Sequence, residues 1–216
     1  MLNIIQKKIG IVGGGQLGKM MILEAKRLGF YVAVLDPVAD CPAHSICDLH
    51  IVAPLDDPKG YRELAEKTDV ITYEWENIDA DVLDALEKEG HIIYPSVASL
   101  KKIQNKYIQN NELNANGVLV PKFAMVLNTD EIREFGRPEK FGYPLMLKTT
   151  SGGYDGKGVA LIKTEDNVEA AFRELGSGAK GLMVEEFIDF QKEISVIACR
   201  GIGGEMTVYP VLKTHM

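Results

Sequence analysis

Lys8-Ile9-Gly10-Ile11-Val12-Gly13-Gly14-Gly15-Gln16-Leu17-Gly18 decides how the fold is read. An apolar, β-branched run enters a G-x-G-x-x-G pattern at Gly13, Gly15 and Gly18, and the amphipathic stretch Gly18–Leu28 follows. In a strand–turn–helix setting such glycines let backbone approach a ligand closely, and the free N–H groups at the helix start favour an anion. Asp36 closes the next apolar run, 18 residues beyond Gly18, where a dinucleotide fold places its ribose-binding acid. The loop equally suits a different phosphate, or mere packing of helix on strand.

Outward from this loop, Tyr31–Leu35, His50–Ala53, Val70–Tyr73 and His91–Tyr94 read as further buried strands, rich in Ile and Val. Lys59–Lys67 and Ala80–Glu89 read as helices between them. Alternation at this spacing predicts parallel pairing and a doubly wound α/β sheet. After Pro95 the texture changes. Val97–Asn114 reads as one long polar helix stopped by Asn116-Gly117. Phe123–Val126, Leu145–Lys148, Val159–Ile162, Leu182–Glu185, Ile194–Cys199 and Glu205–Val211 read as strands, with a helix at Asp166–Leu175 and a hairpin turn at Gly203-Gly204. This half is α+β and largely antiparallel, with the boundary between halves near Ser96.

Composition narrows the function classes. The 216 residues carry a net charge of −7 and a sequence pI near 5.2, so there is no cationic footprint for nucleic acid. No apolar run approaches the ~20 residues that cross a bilayer, and Met1–Lys8 lacks the pattern of a signal peptide. Three cysteines point to a reducing, cytoplasmic setting rather than a disulfide framework.

A second glycine loop follows the lysine-ended run Leu145–Lys148. Residues 152–158, Gly-Gly-Tyr-Asp-Gly-Lys-Gly, hold four glycines in seven positions and lead back into a strand. Its N–H groups can wrap phosphate oxygens while Lys148 and Lys157 supply charge. It is not a Walker A loop, because Ser151 stands five before Gly156 and Lys157 precedes a glycine. Downstream, Leu182–Ile188 runs into Glu185 and Glu186, and Glu193 lies eight residues past Glu185. These carboxylates suit an adenine amino group and ribose hydroxyls, or are solvated strand-edge charges.

Gly-Gly-Gly-Gln-Leu-Gly at 13–18, Thr-Tyr-Glu-Trp-Glu-Asn at 72–77, Lys148 with the 152–158 loop, Glu-Glu-Phe-Ile at 185–188 and Glu-Ile-Ser-Val-Ile at 193–197 together resemble the ATP-grasp ligases. Among them the chain is most similar to the N5-carboxyaminoimidazole ribonucleotide synthases of purine biosynthesis. The resemblance implies a Rossmann-like pre-ATP-grasp domain (1–96), the ATP-grasp small lobe with its flap (97–185) and the start of the large lobe (186–216). It implies ATP as substrate, with Lys106, Lys148, Gly153, Tyr154, Asp155, Gly156, Lys157, Gly158 and Val159 around its phosphates. Glu185, Glu186, Phe187 and Ile188 would hold the adenine edge, Glu193 the ribose, and His215 would contact ATP. Lys106 stands where many relatives carry arginine, leaving one ammonium in place of a bidentate fork. Gly15, Gln16, Leu17 and Glu74 would bind aminoimidazole ribonucleotide, and Tyr154, Asp155 and Lys148 would act at the reacting centre. The implied reaction is phosphorylation of bicarbonate to carboxyphosphate and carboxylation of the ribonucleotide amine. Mg²⁺ ligands are expected beyond residue 216, none within it, and the family implies a homodimer at full length. Relatives running on past this point would make the chain the front part of an enzyme.

Other readings stand beside this one. Glycinamide ribonucleotide transformylase and biotin carboxylase are near neighbours. An NAD-dependent oxidoreductase would use Gly13–Gly18 and Asp36, and a non-catalytic ATP-binding fragment is a third reading. Cys41, His44, Cys47 and His50 recur every three residues and invite zinc. Regular structure fans them apart, though, so only an irregular loop would bring them together.

Overall fold

The computed structural model describes residues 7–153 and 156–214, so Tyr154, Asp155 and His215 lie outside the described residues. Strand β1 (Lys8–Val12) runs into the glycine loop and helix α1 (Gln16–Arg27), and β2 (Tyr31–Leu35), β3 (Leu49–Ile51), α2 (Pro58–Lys67), β4 (Val70–Tyr73) and α3 (Ala80–Lys88) follow. The sheet order is β3-β2-β1-β4, all parallel, with Gly10 opposite Ala33 and Ile71. Side chains alternate across the sheet. Ile11, Val32 and Val34 therefore pack with Ile22 of α1, while Val12, Ala33 and Leu35 pack with Tyr61 and Leu64 of α2 and Leu83 of α3. Asp57 and Asp79 cap α2 and α3 through their carboxylates, and Pro58 occupies the first turn of α2.

Two expectations in this half need correction. His91–Tyr94 is not a strand but one parallel bridge, Ile93 to Ile71, made by the Ile71 N–H to the Ile92 carbonyl and the Tyr94 N–H to the Ile71 carbonyl. Val97–Asn114 is not one helix. It divides into α4 (Val97–Ile103) and α5 (Lys106–Ala115) at Gln104-Asn105. Asn105 is extended (φ −123°, ψ 110°) and its side chain accepts from the Tyr107 and Ile108 N–H groups, so a capping residue starts a new helix. Val97 and Leu100 of α4 belong to the core of the parallel sheet. The stop at Asn116-Gly117 is as the sequence predicts, with Gly117 at φ +75°.

The second half holds β5 (Phe123–Val126), α6 (Thr129–Phe135), β6 (Leu145–Thr149), β7 (Val159–Ile162), α7 (Val168–Glu174, preceded by a 3₁₀ turn) and β8 (Leu182–Glu186). The sheet is antiparallel in the order β5-β8-β6-β7. One face carries Leu145, Leu147, Leu182 and Val184 against Ile132 of α6 and Val168 and Ala171 of α7. The other face presents Phe123, Glu185 and Met146 in one cross-strand row, with Met125, Met183 and Lys148 in the next. Helix α5 lies on this second face, where Tyr107 meets Phe123 edge-on at 5.5 Å. The sequence reading missed α6, although Asn128 accepts from the Glu131 N–H and Glu131 reaches back to the Leu127 N–H, a local capping pattern.

From residue 187 onward the chain forms β9 (Ile194–Ser195), β10 (Ala198–Arg200), β11 (Met206–Val208) and β12 (Leu212–Lys213), with β9 pairing β12 and β10 pairing β11 antiparallel. The expected hairpin is present, turning at Gly204 (φ +91°). Its arms break at 196–197 and 209–211, where Pro210 donates nothing to the ladder.

Candidate functional site

The first glycine loop sits where β1 gives way to α1. Gly13 adopts φ +99°, and a Cβ on it would come within 2.7 Å of Glu74, at the end of β4. A Cβ on Gly18 would stand 2.5 Å from the Gly13 carbonyl, so both outer glycines are required by close approach. The loop's N–H groups already face carboxylates. Gly14 donates to Asp36 Oδ2 at 2.7 Å, and Gly15, the N-cap of α1, donates to Glu74. Burial pushes the Glu74 carboxyl above the usual range; the Gly15 N–H opposes this, and Asp36 and Glu76 add to it. Gln16 and Leu17 stand exposed on the first turn of α1, which carries no acidic side chain to compete with an incoming anion.

Asp36 decides against the dinucleotide reading. Its second oxygen accepts from the Val38 N–H at 2.8 Å, so both oxygens serve backbone and the residue is buried. A ribose-binding acid needs a free oxygen at the surface. Here Asp36 braces the loop from beneath.

The second loop is the β6–β7 connection. Thr149 donates through its N–H to the Gly158 carbonyl, closing the flap at its base. No side chain fits at Gly153, where a Cβ would meet the Lys157 carbonyl at 2.6 Å, or at Gly158 (φ +77°), where it would meet Thr149 Oγ1 at 2.5 Å. Lys106 holds this base from α5: its N–H donates to the Thr150 carbonyl (2.8 Å) and its Nζ to the Gly153 carbonyl (3.4 Å). Gly156 and Lys157 are exposed at the tip, and Val159 begins β7.

Beside the flap, Lys148 forms an ion pair with Glu185, which is 5% exposed. Met146, Lys148, Glu185, Phe187, Ile188 and Phe190 line a mainly apolar cleft of about 250 Å³. One end therefore offers charge and the rest offers apolar walls, the make-up of a site for a flat heterocycle with a charged tail. Glu186 also borders the cleft, with its carboxylate held by Lys122 (N–H to Oε1, 2.9 Å; Nζ to Oε2, 3.4 Å). Glu193 is exposed ahead of β9, and its carbonyl accepts from the Thr214 N–H. The structure thus brings together Lys148 and Glu185, Lys106 and Gly153, and Gly15 and Glu74. Two residues absent from the sequence reading belong to the same framework. Asn110 donates to Glu185 Oε1 at 2.9 Å, and Gln104 donates to the Glu76 and Ile78 carbonyls at 2.6 and 2.8 Å.

Cys41, His44 and Cys47 lie in the irregular loop between β2 and β3, and His50 stands beside them on β3. His50 faces Cys41 with Nε2 (3.8 Å) and His44 with Nδ1 (3.3 Å), so one ring addresses two partners in different directions. Among the described residues no group of three or more such side chains could hold a metal ion. Burial and Asp36 push the Cys41 thiol up, away from the thiolate a metal or nucleophile needs.

Residues 6–104 match the ribonucleotide synthetase preATP-grasp domain, and residues 111–216 match the ATP-grasp domain. The chain belongs to the ATP-grasp family. Among its relatives, the N5-carboxyaminoimidazole ribonucleotide synthase of Bacillus subtilis is 40% identical over 206 residues, 95% of this chain and 53% of the relative. The Staphylococcus aureus synthetase solved with ADP superimposes with a TM-score of 0.91 at 36% identity, covering 97% of this chain and 55% of that one. The Aspergillus clavatus synthase solved with ADP and 5-aminoimidazole ribonucleotide superimposes at 0.87 with 30% identity, covering 98% and 54%. The chain spans about half the length of the curated relatives it matches. Its ATP-grasp portion is the antiparallel sheet with its flap, and its preATP-grasp portion is the parallel sheet with the first glycine loop.

Proposed function

We propose that this chain supplies the nucleotide and ribonucleotide surfaces for ATP- and bicarbonate-dependent carboxylation of 5-aminoimidazole ribonucleotide. The observation that carries the reading is the cleft beside the flap, where Lys148 and the buried Glu185 meet apolar walls in an ATP-grasp framework. Adenine lies against Phe187 and Ile188, and its phosphates run under the Gly153–Val159 flap toward Lys148 and Lys106. The ribonucleotide takes the first loop, its phosphate at the Gly15–Leu17 helix start and its sugar near Glu74. By resemblance Tyr154 and Asp155 belong to the reacting centre, Glu193 to the ATP ribose and His215 to ATP.

In the reaction a bicarbonate oxygen attacks the γ-phosphorus as the bond to ADP breaks, giving carboxyphosphate. This splits to CO2 and phosphate, and the ribonucleotide amine bonds the carbon and releases a proton. Such transfer asks the protein for alignment and charge stabilisation rather than covalent chemistry. The lysines and the flap N–H groups supply these, and a flap hinged on glycines excludes water from a labile intermediate. Mg²⁺ accompanies ATP in this reading, but the described residues offer no donor cluster that fits it. With the reading go a cytoplasmic setting and a homodimer.

Calorimetric titration with ATP, NADH and aminoimidazole ribonucleotide tests it. ATP and the ribonucleotide should bind, and bicarbonate should raise ATP hydrolysis. NADH binding without either of the others would sink the proposal.

A further inference from the structure

Glu185 is held from two sides by unlike groups. Lys148 engages Oε2, and Asn110 of α5 donates its amide to Oε1 at 2.9 Å from a position 75 residues away in sequence. The carboxylate is 5% exposed, and among the described residues these two side chains are its hydrogen-bond partners. They differ in what they can do when a polyanion enters the cleft. Lys148 is a point charge on a flexible stem that phosphate oxygens can draw away, whereas Asn110 is a neutral amide with no net charge for phosphate to attract. Helix α5 is itself fixed, since Asn105 caps it and Lys106 is bonded through its N–H to Thr150.

We propose that Asn110 is a positioning residue that sets the base selectivity of the cleft. It keeps Oε1 occupied and the Glu185 carboxyl plane fixed, so that Oε2, released when Lys148 turns to phosphate, is presented to the cleft as a lone acceptor. An acceptor there fits the exocyclic amino group of a 6-aminopurine and repels the carbonyl of a 6-oxopurine. Such rejection is strong when the site's polar group would be buried without a partner. An aspartate in place of Asn110 has no N–H to donate and sets a second carboxylate against Oε1.

This inference rests on the ATP reading above, and the test separates the two. ATP and GTP affinities are measured by calorimetry for the wild-type chain, Asn110→Ala and Asn110→Asp, with Asn111→Ala as control, since the Asn111 amide donates to the Tyr107 carbonyl of its own helix. Melting temperature is recorded for each. The wild type should prefer ATP. Both Asn110 variants should lose roughly tenfold in ATP affinity, the worth of about one hydrogen bond to a charged group, while GTP affinity changes less than about twofold. Equal losses for both nucleotides, or an unchanged ATP-to-GTP ratio in a folded variant, overturn the role of Asn110 and leave ATP binding standing. A wild-type chain that binds no ATP overturns both.

Discussion

Lys148 and Glu185 show how much one residue pair concentrates. A charge-assisted contact to phosphate is worth ~1.5–3 kcal/mol, so Lys148→Met should weaken ATP binding by one to two orders of magnitude, read by calorimetry. The same change strands a buried carboxylate that retains only Asn110, and stability to urea should fall by about 3 kcal/mol. Adding Glu185→Gln should restore most of that stability and none of the affinity, whereas full recovery of affinity would remove Lys148 from the site. Glu74 makes a different prediction. Its folded pKa is raised, so its contribution to stability is greatest below the unfolded value of ~4.3 and is lost as pH rises through the folded value. Glu74→Gln, which can still accept from the Gly15 N–H, should therefore melt higher than the wild type at pH 7, with the advantage fading toward pH 4. A melting curve pair that does not converge at low pH would contradict this. Lys148 stood out in the sequence because it ends an apolar run ahead of a glycine loop, and Glu74 through the resemblance carried by Thr-Tyr-Glu-Trp-Glu-Asn at 72–77. Asn110 and Gln104 did not, since an amide in a polar helix carries no signal until its distant partner is known.

At the scale of elements, the parallel strands and the flap were legible because their causes are local. Short apolar runs with punctuated ends made β1, β2, β5 and β7 readable to within a residue, and Gly153 and Gly158 mark hairpin positions where a Cβ would clash. Gly158→Ala should accordingly loosen the flap base. It places a Cβ against Thr149 at positive φ, a cost of about 1–2 kcal/mol, and should raise KM for ATP several-fold while binding at the first loop stays unchanged. Helix boundaries were less legible where a side chain serves two ends at once. Asn105 reads as one more polar residue in a run, yet its carboxamide accepts from two N–H groups and begins α5. The apolar run at 91–94 forms only a single bridge at Ile93, a pairing length that its composition does not encode.

Over the whole molecule, burial divides the chain unequally. Two sheets carry the cores, whereas from Phe187 to Thr214 every residue except Gly201 is exposed, including Ile194, Ile202, Met206 and Leu212. Two-stranded ladders without a packed face are marginal in water. Amides of 194–213 should therefore exchange with solvent orders of magnitude faster than those of β1 or β8, and the chain should bind a hydrophobic dye through this surface. Protection of β9–β12 equal to that of β8 would refute the expectation. Pattern alone predicted strands there and could not report what covers them, because alternation encodes which residues want burial and not which surface provides it.

The junction between the two sheets is only three residues long. Gln104 grips the Glu76 and Ile78 carbonyls near the first loop, Asn105 starts α5, and Lys106 grips Thr150 and Gly153 at the flap. Consecutive residues cannot be respaced without breaking one grip, so a single-residue insertion or deletion at 104–106 should be far more damaging than one at the 116–119 turn, where Leu119 stands almost fully in solvent.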